Sequence, residues 1–330
     1  MTTVGVMAQL REPDLGELVQ VAREAEEAGA AWLGVPDTFW GWDTWMTLVE
    51  LARVTVSLEI GPVVTNPYLR HPFHTVAAVA TLQRLAGPRV FVGLGAGGSE
   101  LRAAGVDRTD APGRVEHVAG LLRTVAAGGP LDPSSGRRLD VPVGEVPVLV
   151  AGRGPGMLLA AGRVADRALL WGLPASELAA GAGTVATGAA QTGRSPLVVW
   201  APLVDDHVGR FSSGVPGDPA GARSVAAYAA VNSRPDTRQI WGLTRAETAR
   251  LRARIVAEGP AAAAALLPAA ALDDLILRDT EPARVASIAR RIGAGAIAVP
   301  VFDTTTVAER VAWAHAVTGH LTSSTSRNDR

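Results

Sequence analysis

An α/β barrel of eight parallel strands, with an insertion after the seventh, is the fold class this sequence predicts. Three observations carry it. Short β-type runs alternate with longer stretches of helical periodicity along most of the chain. The strand-like runs number eight, and most are followed by a helix. A single barrel also commonly fills a chain of 330 residues. An open doubly wound sheet shares the local pattern, so strand counting alone does not separate the two.

The elements follow in order. Residues 4–9 form a short apolar run, and Pro13 opens a helical stretch to Gly29 with Leu15, Leu18, Val19, Ala22 and Ala25 at helical spacing. Residues 32–36 read as the second strand and 44–56 as a helix. Residues 58–65 read as strand, and 75–85 as a helix stopped by Gly87-Pro88. The fourth strand, 89–94, runs into a glycine cluster, and a helix covers 114–127. After a Gly/Pro/Ser loop at 128–145 come strand 146–150, helix 155–165, strand 168–171, an Ala/Gly-rich helix near 175–190 and strand 197–204. The eighth strand, 296–301, follows a long, mostly helical stretch, and the last helix spans 307–320. One domain is expected over 1–321, with an insertion or lid at about 206–242 and a polar tail at 322–330.

Composition narrows the function. Hydrophobic residues make up 48% and charged residues 19%, enough for a large core and contrary to disorder. The net charge, 31 − 32 = −1, argues against a nucleic-acid binder. Every basic residue is Arg. Base-composition bias accounts for that, yet it leaves anions to Arg, hydroxyls or backbone N–H groups. The absence of Cys excludes disulfides, thiolate metal sites and cysteine nucleophiles. The opening residues lack a basic region before a long apolar run, and the Ala-rich run at 260–272 contains Pro268 and is too short to span a bilayer. A soluble, cytoplasmic protein is expected, without membrane or nucleic-acid partners.

In a barrel, ligands meet the loops that follow the strands. The candidates are therefore Gln9, Arg11 and Glu12 after the first strand, residues 37–45 after the second, 65–72 after the third, 95–100 (including Glu100) after the fourth and 152–156 after the fifth. Gly93-Leu94-Gly95-Ala96-Gly97-Gly98 matches GxGxxG, a dinucleotide signal. It sits on the fourth strand, and its spaced acid, Glu116, falls inside a helix. A backbone open to a flat ring or a phosphate is the more economical reading. Gly152-Arg153-Gly154-Pro155-Gly156 leads into a helix whose free N–H groups suit a phosphate, with an ordinary strand-to-helix turn as the rival. Trp40, Trp42 and Trp45 either wall an apolar pocket or pack in the core or a subunit contact. Asp37 is the best-placed acid, for a cofactor hydrogen bond or a proton relay, with helix N-capping as rival. His71 and His74 have metal-compatible spacing but no third ligand nearby in sequence, so no metal is expected, and His71 fits a cofactor or relay role better.

Several of these segments together resemble one family. The run from Ile60 through Gly61-Pro62-Val63-Val64-Thr65-Asn66-Pro67-Tyr68-Leu69-Arg70-His71 to Pro72 is similar to the third-strand signature of the bacterial-luciferase-like superfamily. It is nearest the branch of methylenetetrahydromethanopterin reductase and other coenzyme F420-dependent enzymes. The segments 92–97, 146–171, 32–37 and 204–206 resemble that branch's fourth, fifth-to-sixth, second and seventh units. The resemblance implies a (β/α)₈ barrel with a flavin or deazaflavin across the strand ends. It implies a cis peptide at Val63-Val64 backing the central ring, next to Thr65, Asn66, Gly95, Ala96 and Gly97. It also implies a cofactor phosphate near Gly152, Arg153, Gly154, Pro155, Gly156 and Met157, and frequent dimers.

Three departures stand out. Val63 stands where Gly is common, Gly156 replaces a common Lys, and Thr38 stands where many F420-dependent relatives have His. The proton donor is then sought among Asp37, Glu12, Glu100, His71 and the substrate environment, with Gln9 and the tryptophans lining the substrate pocket. The implied activity is an F420H₂-dependent reductase acting on a C=N, C=C or C=O bond of a small molecule. An FMN-dependent monooxygenase using O₂ is the alternative, and a non-catalytic flavin- or partner-binding barrel is a third.

Overall fold

The computed structural model describes residues 3–10, 14–204 and 219–323. Among them, eight parallel strands form one sheet: β1 (Thr3–Ala8), β2 (Trp32–Val35), β3 (Glu59–Pro62), β4 (Val92–Leu94), β5 (Val148–Ala151), β6 (Arg167–Trp171), β7 (Leu197–Ala201) and β8 (Ala296–Val301). Their order is β3-β2-β1-β8-β7-β6-β5-β4. The bridges Ile60–Val90 and Thr65–Leu94 join the two outer strands and close the ring. This settles the choice between barrel and open sheet.

Helices cover the barrel: α1 (Leu15–Glu27), α2 (Thr44–Val54), α3 (Pro72–Ala86), α4 (Ser99–Ala103), α5 (Ala111–Ala126), α6 (Pro155–Val164) and α7 (Ala175–Thr192). After β7 come α8 (Pro219–Asn232), α9 (Pro235–Ile240), α10 (Arg245–Glu258), α11 (Pro260–Ala264) and α12 (Ala269–Leu275). The chain then returns through α13 (Pro282–Arg291) to β8 and α14 (Val307–Ser323). No helix among the described residues is long and apolar enough to cross a membrane.

Burial follows strand alternation. Val4, Val6 and Ala8 of β1 face the helices, in the large cluster that also holds Leu18, Leu33 and Leu48. Met7, Trp32, Phe91, Leu149, Leu169 and Val199 fill the barrel interior, with Trp32 edge-on to Phe91 at 5.6 Å. At the N-terminal end, Arg167 of β6 reaches across to Glu59 of β3 at 2.7 Å and lies over the Phe91 ring, which plugs the floor. Helices α6 and α7 touch through glycines: a Cβ on Gly162 would stand 2.1 Å from the Val185 carbonyl oxygen.

The helical layer after β7 reaches past the expected 206–242 segment, of which 206–218 lie outside the described residues. It has its own core of Ala226, Ala230, Trp241, Leu251, Ala263, Leu275 and neighbours. Asp274 ties it to the barrel by accepting from Ser176 N, Ser176 Oγ and Trp241 Nε1. The 322–330 tail begins inside α14, and 324–330 lie outside the described residues.

Candidate active site

The β3 ladder stops at Pro62, earlier than the expected 58–65 run, and the Val63-Val64 peptide that follows is cis. Pairing then resumes, with Thr65 N donating to Gly93 O and Gly95 N to Thr65 O. The two valine side chains need space, and glycines provide it. A Cβ on Gly34 would stand 2.2 Å from Val63 Cγ2, and one on Gly95 would stand 2.5 Å from Val64 Cγ2. The result is a smooth apolar ledge at the C-terminal rim. Behind it, Thr65 is 1% exposed and its buried hydroxyl has no hydrogen-bond partner among the described residues. Asn66 is also buried, but its Oδ1 is engaged with Tyr68 N and Leu69 N and shapes the turn.

Gly95 links the ledge to the next station. A Cβ there would also lie 3.8 Å from the carbonyl oxygen of Ala151, from which Gly152 and Arg153 follow. Gly152 allows the chain to pass Met157, where a Cβ would meet the Met157 Cβ at 2.5 Å. Gly154 caps α6 without a side-chain bond, and Pro155 occupies the first turn, so N–H groups of that turn point outward with the helix dipole behind them.

The Arg153 guanidinium extends over Gly172, whose φ of +64° is glycine's region, with Nη1 3.2 Å from where a Cβ would be. Burial first, then the charge of Arg108, pushes the Arg153 pKa down to about 10. Arg108 donates to the Gly97 carbonyl at 3.0 Å. Neither arginine forms an ion pair among the described residues. Two cations, glycine turns and an uncapped helix N-terminus make an anion cradle. Ala96 and Gly97, with φ of +72°, carry the chain between ledge and cradle.

Asp37 is half-buried just beyond β2, and its carboxylate makes no hydrogen bond or ion pair among the described residues. It does not cap α2. Asp43 does, accepting from Trp45 N and Met46 N. Thr38 Oγ1 accepts from Trp40 N. The tryptophans divide: Trp45 is 6% exposed and part of the main core, whereas Trp40 and Trp42 are 68% and 55% exposed. Gln9 is half-buried at the rim, its N–H donating to Val301 O. His71 caps α3, with Nδ1 accepting from Phe73 N, and so has a structural task. Glu12 and the Glu100 side chain lie outside the described residues. No cluster of three or more His, Cys, Asp or Glu suited to a metal occurs among the described residues.

Sequence reasoning missed Arg108, the capping role of Asp43 and the space that Gly34 leaves for Val63. Arg108 is 45 residues from Arg153, and only tertiary packing pairs them. Asp43 carried a readable signal, an Asp directly before a helical run.

Comparison with known proteins adds to this geometry. The model of the family described as luciferase-like monooxygenase matches residues 1–296. The 5,10-methylenetetrahydromethanopterin reductase of Methanolobus tindarius is 28% identical over 204 residues, 60% of this chain and 62% of that enzyme. The chain spans 56% to 62% of the length of curated reductases of this description. A solved coenzyme F420-dependent tetrahydromethanopterin reductase from Methanopyrus kandleri superimposes with a TM-score of 0.76 at 18% identity, covering 97% of this chain and 99% of that one. The monooxygenase RslO1 from Streptomyces bottropensis gives 0.63 at 16% identity, covering 96% and 99%. Both solved structures share the fold.

Proposed function

Because this chain belongs to the luciferase-like monooxygenase family, we propose that it is an F420H₂-dependent reductase of a small molecule bearing a C=N, C=C or C=O bond. One observation carries the reading: an apolar ledge at Val63-Val64 continues through Gly95 into a cradle of two arginines that form no ion pair among the described residues. That arrangement fits a molecule with a planar ring at one end and an anionic group at the other. The similarity to F420-dependent enzymes supports the deazaflavin as that molecule.

The residues divide the work. Val63 and Val64 back the ring, Thr65 Oγ1 offers a hydrogen bond to its polar edge, and residues 152–157 with Arg108 hold the phosphate. When bound, reduced F420 supplies a hydride. The chain's own task is to keep the acceptor in line over the ring and to deliver a proton. Asp37, half-buried and uncommitted to a cap, is placed to relay that proton, with Thr38 beside it. Gln9, Trp40 and Trp42 border the acceptor, whereas Trp45 packs below.

A second reading, an FMN-dependent monooxygenase, draws support from the family description and the RslO1 fold, since FMN also joins a planar ring to a phosphate. Anaerobic oxidation of F420H₂ with a panel of imines, enones and ketones tests the first reading. Turnover that falls at least about 10²-fold in Asp37→Asn, with KM for F420H₂ unchanged, is expected. Equal turnover in that variant contradicts the role given to Asp37.

A further inference from the structure

A second basic cavity lies outside the barrel mouth. Helices α9 and α10 form a tight hairpin at Gly242, with Gly242 N donating to Gln239 O and Leu243 N to Arg238 O. The hairpin encloses a groove of about 600 Å³ lined by Arg238, Arg245, Arg252, Thr244, Thr248 and Gln239 among others. Positions 245, 248 and 252 share one face of α10 by helical spacing. Among the described residues, no acidic side chain lines the groove.

The nearby acids are engaged elsewhere. Glu247 closes the capping box with Thr244, Glu258 pairs with Arg254, and Asp236 stands near Arg234 at 3.8 Å. Arg238 and Arg252 converge on a single acceptor, the Val231 carbonyl, at 3.2 and 2.7 Å. Neither they nor Arg245 forms an ion pair among the described residues. Partial burial, then Arg238, then Arg102 of α4, lowers the Arg252 pKa.

Guanidiniums brought this close without a counter-charge repel one another, and a bound anion removes that repulsion. Capping of α8 explains one N–H of Arg238 and one of Arg252. It does not explain Arg245 or the Gln239 amide on the same walls, whereas the Thr244 and Thr248 hydroxyls are held by Glu247 and by the Thr244 carbonyl.

We propose that the α9–α10 groove is a second anion site, which takes a ligand bearing two or more phosphate or carboxylate groups. It is distinct from the Arg153–Arg108 cradle and does not depend on the cofactor assigned there. Arg238 and Arg252 grip one anionic group from the α8 side, Arg245 meets a second, and the Gln239 amide offers a neutral polar contact. Arg102 connects the groove electrostatically to the loop after β4.

Calorimetric titration of the full chain with inorganic pyrophosphate, and separately with citrate, tests the site. Saturable binding that weakens as salt rises is expected for at least one, and the tighter of the two identifies the phosphate or the carboxylate class. Arg245→Gln, an exposed change remote from the α8 cap, weakens it about fivefold or more. Arg252→Gln abolishes it, with thermal melts confirming a folded chain. Arg153→Gln leaves it in place. The proposal is overturned if neither anion binds saturably, or if binding is lost in Arg153→Gln and unchanged in Arg245→Gln.

Discussion

Gly95 and Val64 face each other across the β3–β4 junction, so closely that a Cβ on the glycine would stand 2.5 Å from Val64 Cγ2. The ledge assigned to the ring therefore depends on a missing side chain on the neighbouring strand. Gly95→Ala forces Val64 outward. The expected cost is about 1–3 kcal/mol of stability, read by denaturant unfolding, with F420 affinity reduced more than the stability loss explains. An Ala variant that binds F420 like the parent contradicts the ledge.

Arg153 offers a test with opposite signs. Its charge is desolvated, faces Arg108 and has no acidic partner among the described residues, so it disfavours the cofactor-free fold. Arg153→Met is expected to leave the Tm of the cofactor-free protein unchanged or higher while weakening F420 binding at least about tenfold, as charge-assisted contacts to a phosphate require. A purely structural arginine gives a lower Tm instead.

The barrel was legible because buried parallel strands are short apolar runs, and the 296–301 run matches β8 (Ala296–Val301) residue for residue. The glycine loops at 95–97 and 152–156 were legible because glycine directly after a strand marks a turn or a close backbone approach. What failed was tertiary. Trp45, which the sequence leaves between pocket wall and core, sits on the core face of α2, one turn from Leu48. Asp37 and Asp43 are equivalent acids in one loop, and only the start of α2 at Thr44 decides which one caps it. Arg108 carries no local mark of its proximity to Arg153.

Glu26 holds a loop far from the mouth. Its carboxylate accepts from Val56 N, Ser57 N, Ser57 Oγ and Leu58 N, fixing the approach to β3. Partial burial alone would raise its pKa, but the donors from Ser57, Leu58 and Val56 outweigh that and hold it below the ordinary glutamate value. A depressed folded pKa means that the stabilisation is full above the unfolded value and fades as pH falls through the folded one. Glu26→Gln is expected to cost about 1–2 kcal/mol at neutral pH, allowing for solvent screening. The gap should narrow in acid, below the ordinary glutamate range, in urea melts at stepped pH. A gap constant with pH removes the carboxylate from the explanation.

The α6–α7 contact is set by backbone approach. A Cβ on Gly188 would lie 2.2 Å from the Leu159 carbonyl oxygen, and backbone cannot step aside as a side chain does. Gly188→Val is expected to lower stability by about 3 kcal/mol. The exposed Gly183→Ala on the same helix, with open space around it, stays neutral or gains slightly in thermal melts.

Anaerobic titration of the purified chain with oxidised F420 and, separately, with FMN, followed by fluorescence, tests the central claim most directly. The account predicts saturable F420 binding, loosened by Arg153→Met and by Gly95→Ala, with FMN weaker. Tight FMN binding without F420 binding, or F420 binding indifferent to both substitutions, would contradict it.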